Sequence, residues 1–266
     1  MIRARAQQEI RRRSRRSGSA RLPYVVCYGT PLHKPEGGPA RGITYEGFPM
    51  TVSLPLEHVW VEPENGGESP PLLVLLHGRG SHENDLLPLA QQLPDELAIL
   101  SLRAPTQLGP GYTWYELDLS GGGLHASQPD DEDLDRSLEL VDASLKEAQA
   151  KYDVDPERIG LLGFSQGAIL SLGALAERPD EYAWVVGLHG YLPARYDTTA
   201  LQRAAGTPVF LGAGTRDQVI PVTRAEDASE RLTAAGIDVT FRTYPIGHGT
   251  APQEVEDVGE WVDSRL

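Results

Sequence analysis

The chain has 266 residues, 40% of them hydrophobic, enough for one domain with a sizeable core, and no window holds the roughly 20 uninterrupted apolar residues of a membrane span. Its formal net charge of −14 disfavours nonspecific binding to nucleic acid or to an anionic membrane. Cys27 is the only cysteine, which excludes an intramolecular disulfide and makes a cysteine nucleophile implausible for the core.

The charge is unevenly spread. Residues 1–49 hold ten Lys+Arg against three Asp+Glu, a net of +7, so residues 50–266 carry −21. Arg11-Arg12-Arg13-Ser14-Arg15-Arg16 leads into Ser17-Gly18-Ser19 and then proline and glycine clusters. The apolar stretch that follows, Leu22 to Tyr28, is short and interrupted by Pro23, so a secretory signal is not the expected reading. A disordered basic extension is expected at 1–49, with the folded domain at 50–266; a basic arm for acidic partners is the functional alternative. The reversed charge and a methionine directly before Thr51-Val52-Ser53-Leu54 make Met50 a candidate translation start. The body uses only two lysines, Lys146 and Lys151. Such an acidic surface suits work at high salt, where screening weakens self-repulsion; best stability in dilute buffer would exclude that adaptation.

From Met50 onward, strand and helix patterns alternate. Leu56 to Val61 reads as an early strand, and Leu72-Leu73-Val74-Leu75-Leu76 as a strand buried on both faces, ending in His77-Gly78-Arg79-Gly80-Ser81. A helix near Asp85 to Gln92 and a strand at Ala98 to Leu102 follow. Leu117 to Asp133 is glycine-rich and polar, an irregular loop above the strand ends that is either a substrate gate or surface decoration. A helix from about Asp131 to Tyr152 places Leu134, Leu138, Val141 and Leu145 on one face. The apolar run Ile159-Gly160-Leu161-Leu162 then meets Gly163-Phe164-Ser165-Gln166-Gly167, and a helix runs on to about Arg178. A strand at Trp184 to Leu188 precedes His189-Gly190. Val209 to Gly214 runs into Thr215-Arg216-Asp217, and Val239 to Tyr244 into Pro245-Ile246-Gly247-His248-Gly249. Helices near Val222 to Ala235 and Gln253 to Arg265 complete the pattern, which implies a mostly parallel sheet with helices on both faces.

The G-x-S-x-G pentapeptide after a strand places a serine on a sharp strand-to-helix turn, where helix N–H groups point at developing negative charge. A serine hydroxyl needs a base, and the base needs an orienting group. Asp217 and His248 both follow strands, on the same sheet edge as Ser165, in the order serine, acid, histidine. Each residue has a plainer alternative. Ser165 could cap a helix, Asp217 could cap a turn before Pro221, and Asp227 or Asp238 could be the acid. Asp227 lies within a helix and Asp238 before a strand, so both are worse placed. The His77-Gly78-Arg79-Gly80 turn supplies a second oxyanion donor, so the backbone N–H groups of Arg79 and Gln166 are assigned to the oxyanion hole. His77 itself is expected to hold that loop. The seven histidines form no H-E-x-x-H pattern, and no metal is expected.

With these residues go LLHGRGS at 75–81, LRAP at 102–105, WYELD at 114–118, DPERIGLLGFSQGA at 155–168, GYLP at 190–193, GTRDQVIP at 214–221 and YPIGHG at 244–249. In these segments and their order the chain resembles the phospholipase/carboxylesterase family, which includes the acyl-protein thioesterases. The resemblance implies an α/β-hydrolase fold without a large cap domain, a small-molecule ester substrate and no cofactor. It implies a cytoplasmic monomer or homodimer without stable membrane association. Family members often carry a small residue where this chain has His189, and an apolar one in place of Arg79. Trp114, Tyr115 and His189 are candidates for the substrate pocket. A serine carboxylesterase is the expected activity. Lysophospholipase or acyl-protein thioesterase action is the same chemistry on another substrate, and a non-catalytic binding protein of this fold is the rival from another class.

Overall fold

A computed structural model describes residues 54–65 and 67–266 of the chain. The basic segment 1–49 and the candidate start at Met50 lie outside the described residues. The frame is a seven-stranded sheet. Its strands in chain order are β1 (His58–Val61), β2 (Leu72–Leu76), β3 (Ala98–Leu102), β8 (Ile159–Phe164), β9 (Trp184–Leu188), β10 (Val209–Gly214) and β11 (Val239–Tyr244). Between β3 and β8 lie two small antiparallel pairs, β4 (Thr106–Leu108) with β5 (Gly111–Thr113) and β6 (Leu117–Asp118) with β7 (Gln128–Pro129). The strand order across the main sheet is β1-β3-β2-β8-β9-β10-β11. Only the β1–β3 pair is antiparallel, with Val59 opposite Ser101; the remaining pairs are parallel.

The run Leu72–Leu76 explains how the layers form. All five residues are buried, and alternate side chains go to opposite faces. Leu72, Val74 and Leu76 join the core under helices α2 (Asp131–Lys151), α3 (Gln166–Glu177), α4 (Thr198–Gln202) and α5 (Val222–Ala234). Leu73 and Leu75 join the core under α1 (Leu87–Ala90) and α6 (Pro252–Asp263). A parallel sheet covered on both faces needs this uninterrupted apolar strand. The architecture is the α/β-hydrolase fold, and no cap domain is evident among the described residues.

Helix α2 begins where Asp130 accepts a hydrogen bond from the Asp133 N–H at 3.1 Å, and three acidic residues occupy its first turn. Both features suit the positive end of a helix dipole. Helix α3 differs, because its residues from Gln166 through Ala176 are all buried. It is the central helix, apolar all round, and the pentapeptide feeds directly into it.

Three elements differ from the sequence reading. The helix expected over Asp85 to Gln92 is a single turn, Leu87–Ala90, because Pro88 and Pro94 leave it little room. The loop 117–133 is not wholly irregular: β6 and β7 pair across its neck, and Leu124–Ala126 makes a 3-10 turn. The first strand starts at His58 rather than Leu56. Leu56 N–H instead donates to Ser144 Oγ at 3.2 Å, which ties it to α2.

Candidate active site

The parallel strands β2, β8, β9, β10 and β11 all end at one sheet edge, and His77, Ser165, His189, Asp217 and His248 follow those ends. Ser165 adopts φ 54° and ψ −116° between β8 and α3. A side chain at Gly163 would collide with the backbone of Gly167 and Ala168, and one at Gly167 would collide with Leu76 O. The two glycines of the pentapeptide are therefore required by close approach of strand, turn and helix. Ser165 stands at the helix N-cap position yet makes no capping hydrogen bond. Its hydroxyl points elsewhere.

Ser165 Oγ lies 2.8 Å from His248 Nε2, and His248 Nδ1 lies 2.6 Å from Asp217 Oδ2. Because Nδ1 faces a carboxylate it carries the hydrogen, which leaves Nε2 bare to accept from the serine hydroxyl. Asp217 Oδ1 accepts from the N–H groups of Val219 at 2.8 Å and Ile220 at 3.0 Å. Asp217 thus makes the turn that leads to α5 and also faces the imidazole. Burial pushes its carboxyl up, but the hydrogen bonds from His248 and from the Ile220 and Val219 amides outweigh that and hold it below the usual carboxylate range. The His248 side chain is 18% exposed and that of Asp217 1%, so the base is reachable while its partner is shielded.

The loop after β2 lies against this turn. A side chain on Gly78 would come within 3.5 Å of Ser165 Cβ, and Arg79 follows directly. Gln166 is the first residue of α3, where backbone N–H groups have no partner within the helix. The loop is braced from several sides. Gly80 N–H donates to Tyr112 O at 2.7 Å and Tyr112 N–H to Ser81 O at 2.8 Å. His77 Nε2 accepts from Ala104 N–H at 3.1 Å, so His77 Nδ1 is the protonated nitrogen and donates to Gly78 O at 2.7 Å. Burial pushes His77 down, toward the neutral form this bracing uses. The guanidinium of Arg79 turns to Glu116, 3.6 Å away.

Trp114 and Tyr115 are each 1% exposed and packed into the core. Trp114 Nε1–H donates to His77 O at 2.9 Å, and Tyr115 O–H to Gln166 O at 3.3 Å. The Gln166 side chain ties the same segment to α3. Its Oε1 accepts from Trp114 N–H at 2.9 Å and Thr113 Oγ1–H at 3.1 Å, and its Nε2 donates to Tyr115 O at 2.7 Å. His189 is buried behind Asp217, with Nδ1 3.4 Å from Asp217 Oδ2 and Nε2 3.2 Å from Glu254 Oε2. Sequence reasoning did not single out Glu254 or the Gln166 side chain. A signal for Glu254 existed: it stands four residues before Val258 and seven before Trp261, on the apolar face of α6.

His189, Asp217 and His248 each bring a possible ligand atom within 4.8 Å of one another. Asp217 Oδ2 already lies between both imidazoles, so the cluster is closed by its own hydrogen bonds. A groove of 1190 Å³ lined by residues including Val61, Leu87, Leu93, Ile99 and Glu260 contains none of these groups. The hydrogen-bonded chain, not that groove, identifies where chemistry can occur. Among the described residues the exposed large hydrophobic side chains are Leu119, Leu124 and Val219. The first two sit on the loop between β6 and β7, and Val219 stands two residues past Asp217. That loop is tied near the site, where Ser127 O accepts from Tyr191 O–H and from Arg224 Nη1–H, each at 2.8 Å.

Comparison with known proteins fits this geometry. A sequence profile described as phospholipase/carboxylesterase matches residues 58–266. Acyl-protein thioesterase 1 of Cryptococcus neoformans is 26% identical over 236 residues, which cover 79% of this chain and 98% of the relative. The corresponding protein of Candida albicans is 27% identical over 219 residues, 75% of this chain and 94% of the relative. The crystal structure of the Bacillus cereus carboxylesterase superposes with a TM-score of 0.69 at 29% identity, covering 79% of this chain and 95% of that one. No helix among the described residues is long and apolar enough to cross a membrane. The chain belongs to the phospholipase/carboxylesterase family of hydrolases.

Proposed function

We propose that the chain is a serine carboxylesterase that works through an acyl-enzyme. The observation that carries this reading is the continuous chain from Ser165 Oγ through His248 to Asp217, with contacts of 2.8 and 2.6 Å. His248 Nε2 takes the Ser165 proton as Oγ attacks the acyl carbonyl, and Asp217 holds the imidazole in the tautomer this requires. The carbonyl oxygen becomes an oxyanion and accepts from the backbone N–H groups of Arg79 and Gln166. His248 then gives its proton to the leaving alkoxide as the acyl–oxygen bond breaks. A water molecule, deprotonated by the same nitrogen, attacks the acyl-enzyme; the bond from the acyl carbon to Ser165 Oγ breaks, Oγ takes the proton back from His248, and the acid leaves.

Val219, exposed two residues past Asp217, supports a small-molecule substrate with an apolar acyl part, since it offers hydrocarbon beside the proposed reacting groups. Trp114 and Tyr115 form the rigid wall behind the Arg79 loop, and His189 acts from behind Asp217. In this reading the catalytic domain is residues 50–266, a cytoplasmic monomer or homodimer that needs no cofactor. The likeness to acyl-protein thioesterases favours a second reading, thioester hydrolysis, in which a thiolate leaves instead of an alkoxide.

The test is hydrolysis of p-nitrophenyl esters from acetate to palmitate, beside a palmitoylated cysteine peptide, by wild type and Ser165→Ala. Turnover lost in Ser165→Ala is the expected result. Equal turnover in that variant would refute the serine mechanism, and release of thiol faster than of nitrophenol would select the thioester reading.

A further inference from the structure

Behind Asp217, on the side away from Ser165, a second chain of buried groups begins. The side chains of His189 and Glu254 have no exposed surface. His189 Nδ1 lies 3.4 Å from Asp217 Oδ2, the oxygen that also accepts from His248, and its Nε2 lies 3.2 Å from Glu254 Oε2. Glu254 Oε1 also lies 3.2 Å from His189 Nε2, so the ring nitrogen faces both carboxylate oxygens while only Oε2 is hydrogen-bonded. The carboxyl reaches His189 through a slot at Gly212, where any side chain would collide with Oε1. His189 N–H donates to Gly212 O at 2.7 Å, which fixes the imidazole over that slot.

The hydrogen positions follow from the acceptors. Asp217 Oδ2 only accepts, so His189 Nδ1 carries a hydrogen. The contact between His189 Nε2 and Glu254 then needs one proton, held by either atom. An imidazolium facing a carboxylate and a bare nitrogen facing a carboxylic acid are two placements of that one proton. In both, the pair is neutral as a unit, which suits complete burial. Asp217 consequently accepts four hydrogen bonds, two amides on Oδ1 and two imidazoles on Oδ2.

The geometry points to a further role: His189 and Glu254 are positioning residues that orient Asp217 and divide its charge between two imidazoles. This rests on the reading of Ser165, His248 and Asp217 as the reacting set. The titratable groups against His189 are Asp217 after β10, His248 after β11 with ring centroids 5.8 Å apart, and Glu254 of α6; the uncharged ring of Phe164 packs from β8. Tyr244 of β11 stands near Glu254 and donates its hydroxyl to Asp257 at 2.8 Å. Without the His189 donor, more of the Asp217 charge acts on His248. The protonated form of that imidazole is then favoured, and the acidic limb of kcat/KM against pH moves to higher pH. Loss of one constraint on Asp217 lowers kcat and leaves KM unchanged.

The experiment measures kcat, KM and the pH profile for wild type, Ser165→Ala, the paired changes His189→Asn/Glu254→Gln and His189→Leu/Glu254→Gln, and the double variant His189→Leu with Glu254→Leu. The double variant removes the pair without stranding a buried charge. A fall in kcat of about tenfold to a hundredfold is expected for it, the range seen when an orienting partner is lost, together with the shifted acidic limb. His189→Asn combined with Glu254→Gln returns an N–H near the Nδ1 position, strands no carboxylate, and is expected to recover most of kcat and the wild-type limb. If the double variant does not fold, His189→Leu with Glu254→Gln carries the test through the limb alone, shifting it, with His189→Asn and Glu254→Gln together restoring the wild-type position. Inactive Ser165→Ala beside pair variants with wild-type kcat and profile would overturn the positioning role alone. Active Ser165→Ala would overturn the serine reading and this role with it.

Discussion

Ser165 and His189 are the only described residues other than glycine with a positive φ, and each has φ 54°. They are also neighbours, since Ser165 N–H donates to the carbonyl of Leu188, the residue before His189, at 2.8 Å. A non-glycine residue in this region costs on the order of 1–3 kcal/mol and persists where surrounding structure over-determines it. Both strained positions flank the one carboxylate that His189 and His248 share, so the strain gathers around the proposed reacting groups.

Ser165→Gly should therefore gain stability as it loses turnover. Glycine accepts φ 54° without strain, while its extra freedom in the unfolded chain costs about 0.5–1 kcal/mol. A net gain of about 0.5–2 kcal/mol is expected, read from urea midpoints. Ser165→Ala, which keeps a Cβ, should show no such gain. Equal midpoints for the two variants would contradict the strain argument.

Asp217→Asn tests the tautomer. An amide presents a donor or a weaker acceptor to His248 Nδ1, and the imidazole then loses the orientation that leaves Nε2 bare for Ser165. On the proposed mechanism the expected fall in kcat is about 10⁴-fold, the loss seen for the corresponding change in a Ser-His-Asp protease, with KM changed little. A fall below tenfold would move the orienting role to another group.

Gln166→Ala separates the side chain from the backbone donor at the same residue. The substitution keeps the N–H assigned to the oxyanion hole and removes three hydrogen bonds to Thr113, Trp114 and Tyr115. Thr113 Oγ1–H still donates to Tyr115 O at 2.9 Å, so the Trp114 N–H alone is orphaned; a buried backbone group left unpaired costs about 1–3 kcal/mol, and a loss of that size in urea unfolding is expected. A variant with wild-type stability would mean that water replaces the staple.

Acid should weaken the fold through Glu83 and Asp217. Arg103 grips Glu83 with two hydrogen bonds of 2.6 Å, and Glu83 is 4% exposed. Burial pushes the Glu83 carboxyl up, but the Arg103 hydrogen bonds outweigh it and the group lies below its ordinary value. A carboxyl lowered in the folded state contributes stability that is fully present above its unfolded value of about 4.3 and is lost as pH falls through the folded value. The melting temperature should fall below about pH 5. Arg103→Met should destabilise by about 3 kcal/mol at pH 7 and show a shallower fall in acid. Parallel curves for the two proteins would exclude the ion pair as the acid-sensitive element.

Much of the candidate site was legible because each proposed reacting residue follows a strand whose residues read as buried. The runs ending at Leu76, Phe164, Gly214 and Tyr244 place His77, Ser165, Asp217 and His248 on one edge once the sheet is parallel. What was not legible depends on side chains that meet across the fold. Glu254 lies 65 residues from His189, and its burial needs the slot at Gly212. Trp114 and Tyr115 carry pocket-like side chains, but the Gln166 staple turns both into the core. The pairing of β6 with β7 spans only two residues on each side, too short for any periodic signal.

That small ladder makes the stretch between Asp118 and Gln128 separable from the rest of the chain. Its ends are already brought together, so lengthening it adds little loop-closure entropy, about 0.6 kcal/mol for each doubling. A longer segment spliced in at Gly122-Gly123 would rise from the protein beside the proposed reacting groups while the sheet stays intact. Substrate range could then be redesigned as an interchangeable part, with foreign loops grafted onto an unaltered catalytic base.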